Sequence, residues 1–491
     1  MGGRPAWRRP HLGDGIGVAR LSPARRVALG LLGSRRRRDA RIRDLARDDA
    51  AFDALSPADR ALAYRLAVGA TAAATTLDSL IDARVKKPGS LEPRVRDALQ
   101  IAVYEACYLD TPAAVSASQG VELVRSVAPR AAGLANAVLR RIASEVRPQV
   151  DEAYRRVVAG GADPDDLALA SALPSWLLRR VLADRGPSLA RGLALSQLQP
   201  APVCVAANGL RHDAASLEAL LAREGLEPSA VDCLPGSFAL GAPAGLARTG
   251  LVTSADVVVA DQSAQLVCRI AAPPVPGDLL EVGQGRGTKS ILLATAVGAV
   301  HPTHVAAVDS VPYKVRLSRR RMEAAGLAEV VTCHELDGCR LADDGLPAAL
   351  DRAFGTVLVD APCSGSGTLR RHPEIASSLS ASDVSSLAPL QSRLLAAAAA
   401  RVAPGGTLVY STCSVLREED EAVVEAFLAS EAGQGFAVEP VTQTPACRAC
   451  AGLAQAVGMH QTPEGYLLVS PAPDRGDGHF CASLVRSGHP Q

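Results

Sequence analysis

The stretch Asp278-Leu279-Leu280-Glu281-Val282-Gly283-Gln284-Gly285-Arg286-Gly287-Thr288 reads as a short apolar strand, a glycine turn and the start of an apolar helix. Glycines let the backbone come close to a ligand and open the helix N-terminus toward it, which is the geometry of a nucleotide-cofactor site. Further along the chain, β-branched runs at 304–309, 330–334, 356–360 and 407–411 alternate with helical stretches. That alternation is the signature of parallel strands joined by crossover helices. Two last runs, 466–470 and 480–485, are separated by a Pro/Gly/Asp-rich turn that suits a hairpin. Residues 251–487 are therefore expected to form an α/β domain with a mostly parallel seven-stranded sheet.

Ahead of it the period changes. Apolar residues three and four apart over 23–33, 40–54, 57–84, 92–109, 111–128 and 130–146, punctuated by Pro57, Pro88, Pro112 and Pro129, predict an all-α bundle over 21–150. Ser56 before Pro57, with Asp59 behind it, supplies a helix N-cap with proline at the first helical position, and Thr111 before Pro112 is expected to do the same. Residues 151–250 read as a connector, first helical and then a small α+β module with β-rich runs at 203–207, 238–240 and 257–260 and a helix near 214–224.

At 491 residues the chain is too long for one core, and roughly three domains are expected. Hydrophobic residues make up 48% and charged residues 21%, the proportions of a folded globular chain. No run approaches the length of a membrane span and no secretory apolar segment follows the basic start, so a cytoplasmic location is expected. The 11 cysteines are an odd number without framework spacing, which favours reduced thiols. Cys447 and Cys450 form a lone CxxC with no partner pair, so no metal site is expected. Residues 1–43 carry twelve arginines against Asp14 and Asp39. A flexible basic tail over 1–20 and the arginines after it are suited to neutralising phosphates.

The chemistry concentrates at strand ends. Asp309 closes the strand after the glycine turn, where an acceptor for ribose hydroxyls is expected. The strand Val357-Leu358-Val359-Asp360 runs into Ala361-Pro362-Cys363-Ser364-Gly365-Ser366-Gly367, and the next delivers Tyr410-Ser411-Thr412-Cys413-Ser414. Both thiols and the Asp360 carboxyl thus fall on the edge where open α/β sheets bind ligands. Such a set suits methylation of a pyrimidine ring: C5 of cytosine is a poor nucleophile until a thiolate adds to C6, and a carboxyl group donating to N3 would stabilise the adduct. A base must then remove the C5 proton.

These motifs resemble the bacterial Sun (Fmu) family of 16S ribosomal-RNA cytosine-C5 methyltransferases, part of the wider Nop/Sun group. The run Asp360 to Ile375 (DAPCSGSGTLRRHPEI) and Tyr410 to Ser414 (YSTCS) carry the likeness, supported by Asp261-Gln262-Ser263-Ala264 and Asp477-Gly478-His479-Phe480. The resemblance implies a Rossmann-like domain using S-adenosyl-L-methionine, Cys413 as nucleophile, Cys363 as the product-release cysteine and Asp360 as the catalytic acid group. It places Gly283, Gly285, Gly287, Lys289, Asp309, Asp337 and Asp360 at the cofactor, with Asp337 near the adenine. Asn136-Ala137-Val138-Leu139-Arg140-Arg141 is similar to the NusB-like helical domain of that family, which binds RNA or protein partners. RNA is thus the expected partner, without membrane or metal, and the chain is expected to act as a monomer. Arg370, Arg371 and His372, beside the thiol, read as contacts to substrate phosphates.

Two departures stand out. Where the family has a loop like Ala-Ala-Pro-Gly-Gly-Lys-Thr, this chain has Gly283 to Lys289, without proline and with the lysine one position later. Ala206 also replaces an arginine expected two positions before Asn208. A DNA cytosine methyltransferase would use Cys363 as nucleophile, and a catalytically silent RNA-binding or assembly factor would lack cofactor binding. Cys413 argues against the first, and the joint presence of Asp360, Cys363 and Cys413 against the second.

Overall fold

The computed structural model describes residues 20–38, 40–232, 234–273, 277–296 and 303–488, so the tail expected over 1–20 lies outside them except for Arg20. The described residues form two compact units, those up to Arg179 with His372–Ser378, and those of Arg180–Arg371 with those from Leu379 onward. The division falls inside the stretch 151–250 expected to be a connector.

In the first unit the helices Pro23–Arg38, Pro57–Ala72, Pro93–Tyr108, Ala113–Val127 and Ala132–Arg141 follow the apolar periodicity. Pro93–Tyr108 is the central helix, buried from Asp97 to Tyr108. Pro57–Ala72 crosses it at Gly69, where a Cβ would lie 1.9 Å from the Tyr104 ring, so only glycine allows this approach. Ser56 caps its helix as expected, accepting from Asp59 N at 3.2 Å. Thr111 does not: the helix after Pro112 starts without a side-chain cap, and the Thr111 hydroxyl instead donates to Glu105 Oε1 at 2.9 Å.

Glu105 is the polar centre of this core. Arg25 Nε donates to its Oε2 at 2.8 Å, and a second guanidinium nitrogen donates to Oε1. Arg36 pairs with Asp97 at 3.1 Å and Arg41 with Glu374 at 3.3 Å. Part of the basic N-terminal charge is therefore matched internally, where the sequence suggested phosphate binding. The segment Pro373–Ser378 is a short helix packed on Pro57–Ala72, with the Thr75 hydroxyl donating to Ser377 O at 3.4 Å.

The second unit holds two sheets. Strands β1 (Cys204–Ala207), β2 (Pro228–Ala230), β3 (Ser237–Leu240) and β4 (Val257–Val259) form an antiparallel sheet of order β2-β3-β1-β4. The helix Ala214–Arg223 contributes Leu217 and Leu221 to its core. The larger sheet comprises β5 (Asp278–Val282), β6 (His304–Asp309), β7 (Val331–Glu335), β8 (Phe354–Asp360), β9 (Val402–Thr412), β10 (Phe436–Glu439), β11 (Leu467–Val469) and β12 (His479–Arg486). Its order is β10-β12-β9-β8-β5-β6-β7, with β11 paired to β12. Strands β5 to β9 are mutually parallel, and β10, β11 and β12 add antiparallel pairings.

Among the described residues the sheet thus has eight strands where seven were expected, and β10 is the addition. Phe436-Ala437-Val438-Glu439 lies at the sheet edge with no residue fully buried, so it lacks the apolar run that marks a central strand. From β5 the chain winds outward through β6 and β7, then returns to place β8 on the other side of β5. The order reverses between β5 and β8, and the crevice at their carboxyl ends is where such sheets bind ligands. None of the described helices is long and apolar enough to cross a membrane.

The Arg25–Glu105 pair gives a direct test of the first core. Arg25→Ala leaves a carboxylate whose side chain is 1% exposed without its cation, and breaking a buried pair on one side costs about 3–5 kcal/mol. Urea unfolding of the full chain is expected to show the helical unit's transition moved to lower denaturant; an unmoved midpoint would mean that the pair is not part of that core.

Candidate active site

The glycine turn after β5 is shaped by what it must approach. Gly283 has φ 90°, and a Cβ there would stand 2.3 Å from the carbonyl oxygen of Asp360 at the end of β8. Gly287 has φ 77°, and its Cβ would meet Ser318 Oγ at 2.3 Å. Both positions require glycine on conformation and on space. Asp309, at the end of β6, secures this turn by accepting from Gly285 N at 3.0 Å and from Val311 N at 2.8 Å. Asp337, just beyond β7, is exposed and accepts from Cys339 N at 3.0 Å.

Within the turn, the Gln284 side chain is 3% exposed, and neither Nε2 nor Oε1 has a hydrogen-bond partner among the described residues. A buried amide with no partner is costly unless something else satisfies it. A glycine cradle, acids beyond two neighbouring strands and an orphaned amide suit a ligand carrying a ribose and a polar tail.

Beneath the turn, Glu281 is fully buried. Its Oε2 accepts from Ser290 Oγ at 2.5 Å and its Oε1 has no partner among the described residues. Burial is the main reason its pKa is pushed up to about 7; the Ser290 hydrogen bond opposes this and the Asp360 charge adds to it.

Across the crevice, Lys289 Nζ donates to Asp360 Oδ2 at 2.7 Å and Ser411 Oγ to Asp360 Oδ1 at 3.3 Å. Burial favours a neutral Lys289, yet Asp360, with Cys268 and Cys413, outweighs it and holds the pKa above the ordinary lysine value. The displaced lysine of the cofactor loop therefore reaches the carboxyl that ends β8.

Next to this pair, Cys363 Sγ and Cys413 Sγ are 3.2 Å apart, and Cys413 N donates to Cys363 Sγ at 3.3 Å. The Cys363 thiol is pushed well above the usual range by its hydrogen bond to Cys413, then by burial and by the charges of Cys413 and Glu419.

Behind the thiols lies a buried acidic network. Glu419 and Asp420 are both 0% exposed. Glu419 accepts from Ser364 N at 2.7 Å, Ser364 Oγ, Ser414 Oγ at 2.6 Å and Gln391 Nε2 at 3.2 Å. Asp420 accepts from Thr412 Oγ1 at 2.6 Å and from Arg185 at 2.7 Å. Arg185 precedes Gly186 (φ 77°) at a kink completed by Pro187. In the sequence these acids are part of the run Glu418-Glu419-Asp420-Glu421, which resembles any acidic helix start. The one local hint is that hydroxyl residues follow both cysteines.

The expected phosphate contacts are placed differently. The Arg370 side chain is 2% exposed and donates to Ala472 O at 3.0 Å and Gly476 O at 2.9 Å, with Asp477 alongside. Arg371 donates to Asp477 Oδ2 at 2.6 Å, Asp261 Oδ2 at 2.8 Å and Pro202 O at 3.1 Å. These guanidiniums fasten the turn before β12 and are committed to internal acceptors. His372 belongs to the first unit, with Nδ1 3.6 Å from Glu374 Oε1.

The sheet order, glycine turn and acids beyond β6 and β7 define the class of S-adenosyl-L-methionine-dependent methyltransferases, and S-adenosyl-L-methionine is the cofactor these residues fit. Residues 272–485 match the family model of 16S rRNA methyltransferase RsmB/F, and residues 22–144 match the NusB family. The chain is 30% identical over 437 residues to ribosomal RNA small subunit methyltransferase B of Escherichia coli O6:K15:H31 (strain 536 / UPEC), covering 88% of this chain and 92% of that protein. It is 29% identical over 438 residues to ribosomal RNA small subunit methyltransferase B of Sodalis glossinidius (strain morsitans), covering 88% and 91%. Among solved structures, that of PH0851 shares the fold with a TM-score of 0.73 at 19% identity, over 95% of this chain and 100% of that one. The chain belongs to the RsmB/F family of 16S rRNA methyltransferases and carries a NusB-family helical domain.

Glu281 yields a pH prediction. With its folded pKa near 7 against an ordinary 4.5, the folded state binds more protons between those values, so stability falls as pH rises through that window. Glu281→Gln removes the penalty. Thermal unfolding should find the variant equal to or below wild type at pH 4 and more stable at pH 8, by on the order of 2 kcal/mol. A wild type that gains on the variant over this range would mean that a partner holds Glu281 as an anion.

Proposed function

We propose that this protein transfers the methyl group of S-adenosyl-L-methionine to C5 of a cytosine in 16S ribosomal RNA through a covalent bond between Cys413 and C6. The observation that carries this reading is the pair of sulfurs 3.2 Å apart at the carboxyl edge, beside Asp360 and its lysine. S-adenosyl-L-methionine supplies an electrophilic methyl carbon. Gly283, Gly285 and Gly287 would admit it, Asp309 and Asp337 would hold its nucleoside portion, and Gln284 would offer an unused amide.

The Cys413 thiolate adds to C6, the ring electrons move toward N3, and C5 becomes the nucleophile that takes the methyl group. Asp360 serves N3. In the free protein it accepts from Lys289, which holds it in place; once protonated, the Asp360 carboxyl group would donate to the ring. A base then removes the C5 proton, the electrons return through the ring and the C6–S bond breaks, leaving Cys413 as thiolate. Cys363, whose thiol is pushed above its usual range, stands next to that sulfur to assist release. The same property weighs against Cys363 as nucleophile, and so against the DNA-methyltransferase reading. The NusB-like unit, expected over 21–150, would engage RNA, with the connector and a catalytic unit of 251–487 behind it.

The test mixes wild type, Cys413→Ala and Cys363→Ala with S-adenosyl-L-methionine and small-subunit RNA, following methyl incorporation and SDS-resistant adducts. Cys413→Ala is expected to be inactive and Cys363→Ala to accumulate trapped RNA. Methylation by Cys413→Ala would refute the nucleophile assignment. A wild type that neither gains thermal stability from S-adenosyl-L-methionine nor transfers methyl would leave an RNA-binding assembly factor as the function.

A further inference from the structure

Resting on the two-cysteine reading above, we propose that Glu419 is the positioning residue of this active site: its carboxylate ties the loop of Cys363 to the loop of Cys413 and so decides which thiol attacks. The Cys363 loop presents Ser364 N and Ser364 Oγ to Glu419, and the Cys413 loop presents Ser414 Oγ. Gln391 supplies a fourth donor from the helix Ala381–Ala399, and its Nε2 also donates to Pro362 O at 2.9 Å.

Further bonds close the same bracket. Ser366 Oγ and Ser414 Oγ are 3.0 Å apart, Val415 N donates to Ser366 Oγ at 3.0 Å and Gly367 N to Cys413 O at 3.0 Å. Every donor to Glu419 sits next to a cysteine or braces the turn beside one, so the carboxylate is the common point of both loops. It is completely buried, and among the described residues its hydrogen-bond partners include no cation. Four hydrogen bonds are what make a charged carboxylate tolerable there.

Two consequences follow for the chemistry. Freed from this tie, the loops could drift, and a displacement of about 1 Å at reacting groups can cost on the order of 100-fold in rate. The negative charge of Glu419 also adds to the factors that keep Cys363 protonated, after the hydrogen bond to Cys413 and burial. It therefore widens the difference between two thiols in contact. Only one of them may be a thiolate if one sulfur is to attack C6 while its neighbour retains a proton for release.

Glu419→Gln and Glu419→Asp in the full chain test this. Both should bind S-adenosyl-L-methionine within about twofold of wild type. In single turnover with RNA, Glu419→Gln is expected to lose about 100-fold in adduct formation, and Glu419→Asp to recover about tenfold of that. The readout that a merely structural role would not move is the pH profile of iodoacetamide alkylation, followed at each cysteine by mass spectrometry. Glu419→Gln should bring Cys363 alkylation to lower pH and narrow the preference for Cys413 by about tenfold.

Wild-type alkylation rates together with an unaltered Cys363 profile would overturn the proposal. Should Glu419→Gln fail to fold, Ser414→Ala removes one donor and is read on the same two measures. If wild type never methylates cytosine, the proposed reaction fails, and the alkylation profile still judges the tie between the loops.

Discussion

The closeness of Gly283 to the end of β8 is the constraint on which the rest of the catalytic unit depends. Because residue 283 has no side chain, its backbone can sit where a Cβ would be 2.3 Å from the Asp360 carbonyl oxygen. That contact closes the crevice at the point where strand order reverses, and it brings the first turn of the following helix over the sheet edge. Lys289, on that turn, then reaches Asp360. The carboxyl that ends β8 is in turn followed by Cys363, while β9, paired with β8 in parallel register, sets Ser411 opposite Asp360 and carries Cys413 two residues further. One close backbone approach thus aligns the glycine turn, the carboxyl group and both thiols.

Charge in this unit is handled by burying acids against many donors. Asp309 is held by backbone N–H groups, Glu419 by four donors, Asp420 by Arg185 and Thr412, and Asp477 by two arginines. Removing charges from water costs several kcal/mol each unless they are paired and hydrogen-bonded. Such networks rigidify loops that lie on the surface edge of a sheet and would otherwise be mobile. Arg370 and Arg371 belong to this internal scheme.

The parallel strands, the glycine turn and the two thiol-bearing loops were legible because each is a local pattern: an apolar run ending in glycine, or a β-branched run ending in an acid or cysteine. The hairpin of β11 and β12 was legible from its turn. Strand β10 was not, since four partly exposed residues lack a periodic signal. Thr111 looked like a cap, yet a buried Glu105 from another helix claimed its hydroxyl. Arg25, Arg370 and Arg371 looked like surface cations, and burial against distant acids made them structural.

By itself the sequence determined the class of fold, the glycine turn after β5 and the residue types at the carboxyl edge of the sheet, because strand and turn propensities act over neighbouring residues. Tertiary structure alone decided which charges face one another. Lys289 and Asp360 are 71 residues apart, Ser364 and Glu419 are 55 apart, and Arg371 and Asp477 are 106 apart. No periodicity along the chain encodes a pairing at such separations; it exists only once the sheet has brought those strand ends together and excluded water from between them.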